Sequence, residues 1–256
     1  LKSESATAPA SAKLCGFSCR LPGGSSSPWS YHLALCAAND ALELVPPLRW
    51  NVAESTYGLS ESVACRCRHA GFMANIQQID YAFFSLSLAE TAAMDPQQRL
   101  LLEYAYEAFN GTLKLRGSLT GVFLGIAAFD FVQMLAEAPA GNSVYAATGS
   151  SHSVACGRIS YLFGLHGPCI AYDTACSAAL TACHGGIRAI RGECSDALAA
   201  GVNMMLSPRN GILFAISALT SSQGRSYTFD SRADGYARAE AVAAVALRLA
   251  SSPDSV

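Results

Sequence analysis

One run of the sequence constrains the fold more than any other: an apolar stretch, an acid, a turn of small residues that contains a cysteine, and a helical pattern. The stretch follows Gly167-Pro168 and ends at Asp173, the turn holds Cys176, and the helical pattern reaches about Arg191. This order places Cys176 at a helix N-terminus, where unpaired N–H groups and the helix dipole favour negative charge. Because the thiolate is the reactive form of cysteine, the pattern predicts a nucleophile at Cys176.

A second interpretation of Cys176 stays open at this point. Cysteine is among the most frequently buried residue types, and within an alanine-rich segment it commonly packs as a small apolar side chain. Strand–turn–helix junctions of this kind also recur in many proteins. The local pattern alone therefore does not separate a nucleophile from a core residue.

Composition narrows the class of protein. With 256 residues, 51% of them hydrophobic and 14% charged, the chain has enough apolar surface for one large domain or two small ones. The net charge of the chain is −2, whereas nucleic-acid-binding proteins typically carry a basic surface. We therefore expect no nucleic acid among its partners. No apolar run reaches the ~18 to 20 residues that a membrane span needs, and we expect no membrane span.

The ten cysteines lack the spacing of a disulfide-stapled small domain, which predicts free thiols in a reducing compartment, the cytoplasm or a plastid. A targeting segment missing ahead of Leu1 is compatible with this prediction. One set of potential zinc ligands comprises Cys15, Cys19, Cys65, Cys67 and His69. Its spacing is not that of a common structural site, so we predict no metal and a solvated basic loop at 65–69.

Hydrophobic periodicity predicts buried strands that alternate with helices. The clearest helix has Asp95 as its N-cap and Pro96 at its first position, with Arg99 and Glu103 spaced as an i,i+4 ion pair. Further helices are predicted at 151–162 and 176–191, and strands at 13–17, 120–126, 169–173, 197–203 and 240–249. This pattern indicates α/β layering around a mostly parallel sheet. We predict that residues 1–12 are a disordered linker and 251–256 a linker-like tail.

Several blocks of sequence, colinear from about Leu14 to Leu249, carry a resemblance to a known family. They are CRLPGG at 19–24, AMDPQQRLLLE at 93–103, GRISY at 157–161, DTACSA at 173–178, GVN at 201–203 and FDSRADGY at 229–236. Together they resemble the β-ketoacyl synthase family, specifically the ketosynthase domains of modular polyketide synthases. The resemblance implies the N-terminal half of a thiolase-like fold, ordered βαβαβαββ, with a mostly parallel five-stranded sheet and flanking helices over residues 13–250.

The resemblance also implies a chemistry for Cys176, the cysteine of the family's T-A-C-S block. In the family this thiol takes an acyl chain as a thioester from an acyl carrier protein or coenzyme A. A malonyl-type extender then loses carbon dioxide, and the resulting carbanion attacks the thioester, which gives a β-ketoacyl chain two carbons longer. The carrier's phosphopantetheine arm is a substrate carrier, so no cofactor is implied, and family members are homodimers that pair through the strand here at Cys169–Tyr172.

Condensation in the family needs two histidines, in H-G-T-G-T-like and N-x-G-H-like blocks, and a lysine between them. The five histidines of this chain are His32, His69, His152, His166 and His184, and none stands in such a block. His184 lies about two turns along the helix from Cys176, too far to reach its thiol readily, and His152 and His166 are interpreted as solvent-facing or packing residues. The first residue, Leu1, and the linker-like tail suggest a fragment whose C-terminal half is absent, and we expect it to accept an acyl group without condensing it.

Two alternatives of other classes remain at the level of sequence. A non-catalytic relative that serves as a dimer partner or scaffold is one, although it would have no need of the Cys176 thiol. A thiol hydrolase is the other, although no histidine or acid partner stands at a recognisable spacing. We interpret Asp230 and Asp234 as turn acids and not as catalysts, and Thr174 and Ser177 as residues that shape the turn.

The segment at 239–241 departs from the family pattern. The family has glycines around the acid where this chain has Ala239-Glu240-Ala241. Because alanine lacks glycine's freedom at positive φ, this turn is expected to be shifted.

Overall fold

A computed structural model describes residues 11–110 and 116–250 and contains one five-stranded sheet and one two-stranded sheet. The strands are β1 (Ala12–Arg20), β2 (Glu43–Leu44), β3 (His69–Ala70), β4 (Thr120–Gly125), β5 (Cys169–Tyr172), β6 (Asp196–Asn203) and β7 (Ala241–Leu249). The α-helices are α1 (Pro28–Cys36), α2 (Val52–Ser55), α3 (Glu61–Ala64), α4 (Leu88–Ala92), α5 (Pro96–Phe109), α6 (Asp130–Glu137), α7 (Ala146–Ser150), α8 (His152–Phe163), α9 (Ala178–Ala189) and α10 (Arg209–Ile216). Single turns of 3-10 helix lie at Pro22–Gly24, Cys65–Cys67, Pro139–Asn142 and Ala175–Ser177.

The large sheet has the strand order β1-β7-β6-β4-β5. Strand β4 pairs in parallel with both β5 and β6, whereas β7 pairs antiparallel with β6 on one side and β1 on the other. Four strands therefore run in one direction and β7 alone runs against them. The predicted α/β layering around a mostly parallel sheet is confirmed, and β1-α5-β4-α8-β5-α9-β6-β7 reproduces the order βαβαβαββ, with the shorter elements inserted between these.

Helices cover both faces of this sheet because its strands alternate apolar side chains between two sides. On β4, Val122 and Leu124 join one buried cluster with residues of α5 and α8, while Phe123 joins another with residues of α9. Helix α5 begins as predicted, since the Asp95 carboxylate accepts a hydrogen bond from the Gln97 N–H at 2.8 Å. The face that α5 buries includes three leucines that are essentially inaccessible, Leu100, Leu101 and Leu102.

Some predictions need correction. Strand β1 is longer than the predicted 13–17 and begins inside the segment predicted to be disordered, because Ala12 pairs with Leu249 of β7; residues 1–10 and 251–256 lie outside the described residues. Arg99 does not pair with Glu103: its guanidinium donates to the Met94 carbonyl through Nε at 3.0 Å and Nη2 at 2.7 Å.

The Ala239-Glu240-Ala241 segment needs no glycine. All three residues have ordinary negative φ, and Glu240 is fully buried. Its carboxylate accepts two hydrogen bonds from Arg49, each of 2.8 Å, and one each from the N–H groups of Met73 and Met205. The expected shift of this turn is therefore not needed to accommodate the alanines.

The described helices include none that is both long and apolar enough to cross a membrane.

Candidate active site around Cys176

Cys176 lies in the 3-10 turn that joins β5 to α9, and its side chain is exposed. The residue before it, Ala175, has φ of 52°, a left-handed conformation that is uncommon for a residue other than glycine. The Asp173 carboxylate accepts a hydrogen bond from the Ala175 N–H at 3.2 Å and so supports this conformation. Strained backbone of this kind concentrates at functional sites, and here it lies directly before an exposed cysteine.

Hydroxyl groups hold the two sides of the turn together. The Ser177 Oγ lies 2.8 Å from the Thr174 carbonyl and 2.9 Å from the Thr174 Oγ1. The Thr174 hydroxyl is in turn 3.1 Å from that of Thr181, which donates to the Ser177 carbonyl at 3.1 Å. Thr174 and Ser177 thus shape the turn as the sequence predicted, with Thr181 as an additional member from the next turn of helix.

A pair of glycines allows the start of α9 to approach the sheet closely. Gly125 of β4 and Gly201 of β6 are direct partners across the two strands. A Cβ on Gly125 would lie 2.4 Å from the Ala179 nitrogen, and one on Gly201 would lie 2.6 Å from the Ala179 Cβ. Sequence reasoning missed this pair, although a glycine near the end of each of two neighbouring buried strands was a visible signal.

The turn lies at the carboxyl edge of the parallel strands, in front of the N-terminus of a helix of 12 residues. The 3-10 turn makes a backbone hydrogen bond from the Ser177 N–H to the Thr174 carbonyl at 3.2 Å. The Cys176 N–H precedes that bond, in the region where helix N–H groups are available to a negative ligand. The site therefore combines an exposed thiol with an adjacent backbone donor, the arrangement that acyl transfer requires.

The histidines are placed elsewhere. His152 packs on the Phe129 ring, with centroids 4.1 Å apart, and its Nε2 lies 3.0 Å from the Ala128 carbonyl. Burial lowers the pKa of His152, and the negative charge of Asp173 opposes this shift by raising the pKa. Within the described residues, which include all five histidines, none hydrogen-bonds to the Cys176 thiol.

The acids of the 229–236 block are loop residues. Asp230 accepts hydrogen bonds from the Arg232 N–H at 2.9 Å and from the Arg232 guanidinium. Asp234 accepts from the Ser222 hydroxyl at 2.6 Å and from the Ser222 N–H at 3.0 Å, and these bonds, with the nearby Arg66, lower its pKa to about 2. Both acids make the contacts expected of turn residues.

The basic loop at 65–69 differs from its prediction. Arg66 is not solvated: its guanidinium donates to the Thr220 carbonyl and, at 2.8 Å, to the Asp234 carbonyl, so it ties this loop to the 220–234 segment. The Cys65 and Cys67 thiols face the carbonyls of Ser62 and Val63 at 3.4 and 3.6 Å. The part of the chain that the structure describes contains no cluster of three or more side chains suited to a metal ion.

The surface near the site is apolar. Leu180, on the first turn of α9, is 74% exposed. Ile170 on β5, an edge strand of the sheet, is also exposed. Exposed apolar groups on a sheet edge and a helix start are typical of a surface that another polypeptide covers.

Comparison with known proteins agrees with this architecture. Residues 13–252 match the model of the β-ketoacyl synthase N-terminal domain. The chain is 40% identical over 244 residues to a phenolphthiocerol/phthiocerol polyketide synthase protein of Mycobacterium tuberculosis, of which it covers 11%. It is 41% identical over 240 residues to a phthioceranic/hydroxyphthioceranic acid synthase of Mycobacterium bovis and again covers 11%. In each case the match takes in 91% of this chain.

Solved structures give the same result. The ketosynthase from module 6 of the bacillaene synthase of Bacillus subtilis superposes with a TM-score of 0.80 at 30% identity, over 93% of this chain and 40% of that one. The oxazolomycin ketosynthase domain from Streptomyces albus has a TM-score of 0.80 at 29% identity, over 93% and 42% of the two chains. The chain thus spans less than half the length of these domains and a small part of the synthases.

Proposed function

Since the chain belongs to the β-ketoacyl synthase family, as its N-terminal domain, we propose that Cys176 is the nucleophile that accepts an acyl chain as a thioester. The observation that carries this proposal is the exposed thiol on a strained turn, directly before a helix whose first turn, at Ala179, packs against Gly125 and Gly201. A residue that served only as a small core side chain would have no need of this presentation.

The proposed first half-reaction uses the groups of this turn. The Cys176 thiolate attacks the carbonyl carbon of an acyl thioester carried on the phosphopantetheine arm of an acyl carrier protein. The carbonyl oxygen gains negative charge, which the Cys176 N–H and the positive end of α9 stabilise. The intermediate then expels the phosphopantetheine thiolate, and the acyl chain remains on Cys176. Sulfur suits both steps, because it is a good nucleophile and a good leaving group.

The second half-reaction is decarboxylative condensation with a malonyl-type extender in polyketide or fatty-acid synthesis. We assign the whole enzyme to the 3-oxoacyl-acyl-carrier-protein synthase type, working as a homodimer without a cofactor of its own. All ten cysteines are free thiols, in keeping with a reducing compartment; because the relatives above are bacterial proteins, we place it in the cytoplasm.

Acyl trapping tests the nucleophile. The purified chain is incubated with an acyl carrier protein that bears a radiolabelled acyl group, and the labelled peptide is mapped. We expect label on Cys176, lost in Cys176→Ala and kept in Cys183→Ala, which alters a thiol on the neighbouring helix α9. Label that persists in Cys176→Ala contradicts the assignment, and a folded wild-type chain that takes up no label favours the scaffold alternative.

A further inference from the structure

The His152 ring lies at the same edge of the sheet as the Cys176 turn. Strands β4 and β5 run in parallel, and just beyond β4 the Ile126 N–H donates to the Tyr172 carbonyl at 3.1 Å. The chain after β4 continues to the Ala128 carbonyl, which lies 3.0 Å from the His152 Nε2, whereas the chain after β5 continues directly into the Cys176 turn. The ring is therefore held at the end of β4, next to the strand end from which the turn starts.

Two contacts fix the orientation and the tautomer of this ring. It stacks on Phe129, with centroids 4.1 Å apart and planes at 23°. Because a carbonyl oxygen only accepts, the Nε2 that faces Ala128 donates and carries the ring proton. Burial lowers the pKa of His152, although the charge of Asp173 opposes this shift, and the ring is neutral at pH 7. Its Nδ1 therefore bears a lone pair and acts as a hydrogen-bond acceptor.

The Nδ1 atom of His152 is open to a ligand. Within the described residues it has no hydrogen-bond partner, and it is not among the polar atoms that are sealed from solvent. Beside it, the Phe129 ring is 53% exposed. An apolar ring next to a single acceptor suits a hydrocarbon chain that carries one hydrogen-bond donor.

We propose that His152 selects acyl chains that carry a hydroxyl group near the thioester, such as 3-hydroxyacyl chains, by accepting a hydrogen bond from that hydroxyl at Nδ1. This inference rests on the acyl-accepting role proposed for Cys176. A hydroxyl donates to Nδ1, whereas a keto or unsubstituted chain has no proton to offer and leaves the lone pair without a partner.

The position of the hydroxyl follows from the strand ends. Neighbouring strands are about 4.8 Å apart, a distance that an acyl chain spans within its first few carbons. The hydroxyl that reaches His152 therefore belongs close to the thioester. The preference is modest, because Nδ1 is not sealed from water: one hydrogen bond between neutral groups corresponds to about 3- to 10-fold in relative rate.

Competing acylation of Cys176 tests the proposal. The full chain is incubated with equal amounts of 3-hydroxybutyryl- and butyryl-N-acetylcysteamine, separately for each enantiomer of the former. The Cys176 thiol attacks the thioester carbonyl, N-acetylcysteamine leaves, and peptide mass spectrometry measures the two acyl groups on Cys176. The same mixture with N-acetylcysteine gives the ratio set by the thioesters themselves. For one enantiomer we expect the ratio on Cys176 to exceed that value by about 3- to 10-fold.

Variants isolate the acceptor. His152→Phe removes Nδ1 but keeps a ring that stacks on Phe129, and its ratio should fall to the N-acetylcysteine value. His166→Gln, a change at an exposed histidine just before β5, at the opposite edge of the sheet, should keep the wild-type ratio. Circular dichroism checks that each variant folds; if His152→Phe does not, the wild-type ratio decides.

The outcomes separate this inference from the function on which it rests. A wild-type ratio equal to that of N-acetylcysteine, or an undiminished preference in His152→Phe, would overturn the role of His152 and leave Cys176 as the acyl acceptor. If neither thioester acylates Cys176, the proposed function fails and the selection by His152 fails with it.

Discussion

At the scale of single residues, the backbone around Cys176 determines how the thiol is presented. A left-handed Ala175 is unfavourable by itself, and the Asp173 carboxylate and the Thr174–Ser177 hydroxyl contacts offset that cost. The strain turns the chain sharply between β5 and α9. The consequence is an exposed sulfur beside N–H groups that are at the start of a helix.

Alkylation rates test this presentation. With limiting iodoacetamide we expect Cys176 to label faster than Cys183 and Cys194, because burial raises the pKa of both of the latter. Cys183 is the matched comparison, since it lies on α9, the helix that Cys176 precedes. Quantitative mass spectrometry of the peptides on either side of Tyr172 keeps Cys169 apart from Cys176. Equal rates for Cys176 and Cys183 would contradict the nucleophile assignment.

Asp95 predicts a pH dependence of stability. Burial raises its pKa to about 6, while hydrogen bonds from Gln97 and the charge of Arg99 oppose this rise and Asp130 adds to it. The folded pKa of Asp95 lies above the unfolded value of about 3.9. The contribution of Asp95 to the free energy of unfolding is therefore fully present below about pH 4 and is lost as pH rises through about 6. Asp95→Asn keeps a capping side chain and does not titrate.

The stability of Asp95→Asn relative to wild type should therefore rise with pH. For a residue that is 2% exposed, the difference between the folded and unfolded pKa corresponds to a gain of roughly 2 to 3 kcal/mol between about pH 4 and pH 7. Urea unfolding of both proteins at several pH values measures it, and the difference between them removes the titration of the other groups. A difference that is constant over this range would show that Asp95 keeps an ordinary pKa.

Residues whose roles are local were predictable, and those whose roles depend on packing were not. The Asp95 cap, Thr174 and Ser177 act within a few positions of themselves along the chain. Arg66, by contrast, was predicted to lie in a solvated loop, but in the fold it donates to the carbonyls of Thr220 and Asp234, which are far away along the chain. Arg99 is an exception among the local contacts: it has a suitable i,i+4 partner in sequence, but its guanidinium meets another local acceptor, the Met94 carbonyl just before α5.

At the scale of elements, the Gly125–Gly201 pair controls how closely α9 approaches the sheet. Gly125→Ala should lower the free energy of unfolding by about 1 to 3 kcal/mol, because its Cβ would meet backbone of Ala179 that cannot yield easily. The displaced helix start should also slow alkylation of Cys176. Thermal unfolding and the iodoacetamide assay measure the two effects.

Gly157→Ala is the matched control. Gly157 lies inside α8, and a Cβ there would meet nothing within 4 Å. An alanine in a helix interior is expected to stabilise by roughly 0.5 to 1 kcal/mol relative to glycine. The two substitutions should therefore act in opposite directions. If Gly125→Ala is as well tolerated as Gly157→Ala, the close approach of α9 is not what positions the turn.

The strand limits predicted from the sequence agree with the structure where a strand is a single apolar run. Strands β4, β5, β6 and β7 lie within one residue of the predicted limits, because each is a short apolar run bounded by turn residues. Strand β1 extends further, because pairing with β7 from Ala12 to Arg20 sustains strand structure through polar and exposed residues. The antiparallel insertion of β7 between β1 and β6 depends on the topology and has no signature in its own sequence.

At the scale of the whole molecule, the exposed edge of the sheet predicts association. The exposed Ile170 lies on edge strand β5, and an apolar edge strand favours pairing with a second copy. We expect a dimer by sedimentation velocity, weakened by Ile170→Lys and unaffected by Val144→Lys, a change at a site 87% exposed and outside the strand. A monodisperse wild-type monomer would exclude pairing through β5.

The two half-reactions need different groups of the protein. Acyl transfer needs the Cys176 thiol and neighbouring N–H groups, all of which lie in one turn. Decarboxylation and condensation also need general-acid and electrostatic groups, each worth roughly 10² to 10⁴ in rate. Among the histidines, His152 interacts with the charge of Asp173 in this turn, but its ring is held by the Ala128 carbonyl and the Phe129 ring.

The chain of 256 residues should therefore hold an acyl group on Cys176 without extending it. Malonyl carrier protein is added to the trapped acyl form, and mass spectrometry follows both the protein and any β-ketoacyl product. We expect the acyl thioester to persist, with condensation absent. A Cys176→Ala control with the same reagents sets the background. A β-ketoacyl product above that background would mean that a histidine of this chain, His152 first among them, leaves its packed position to serve the reaction, and His152→Ala would then abolish the product.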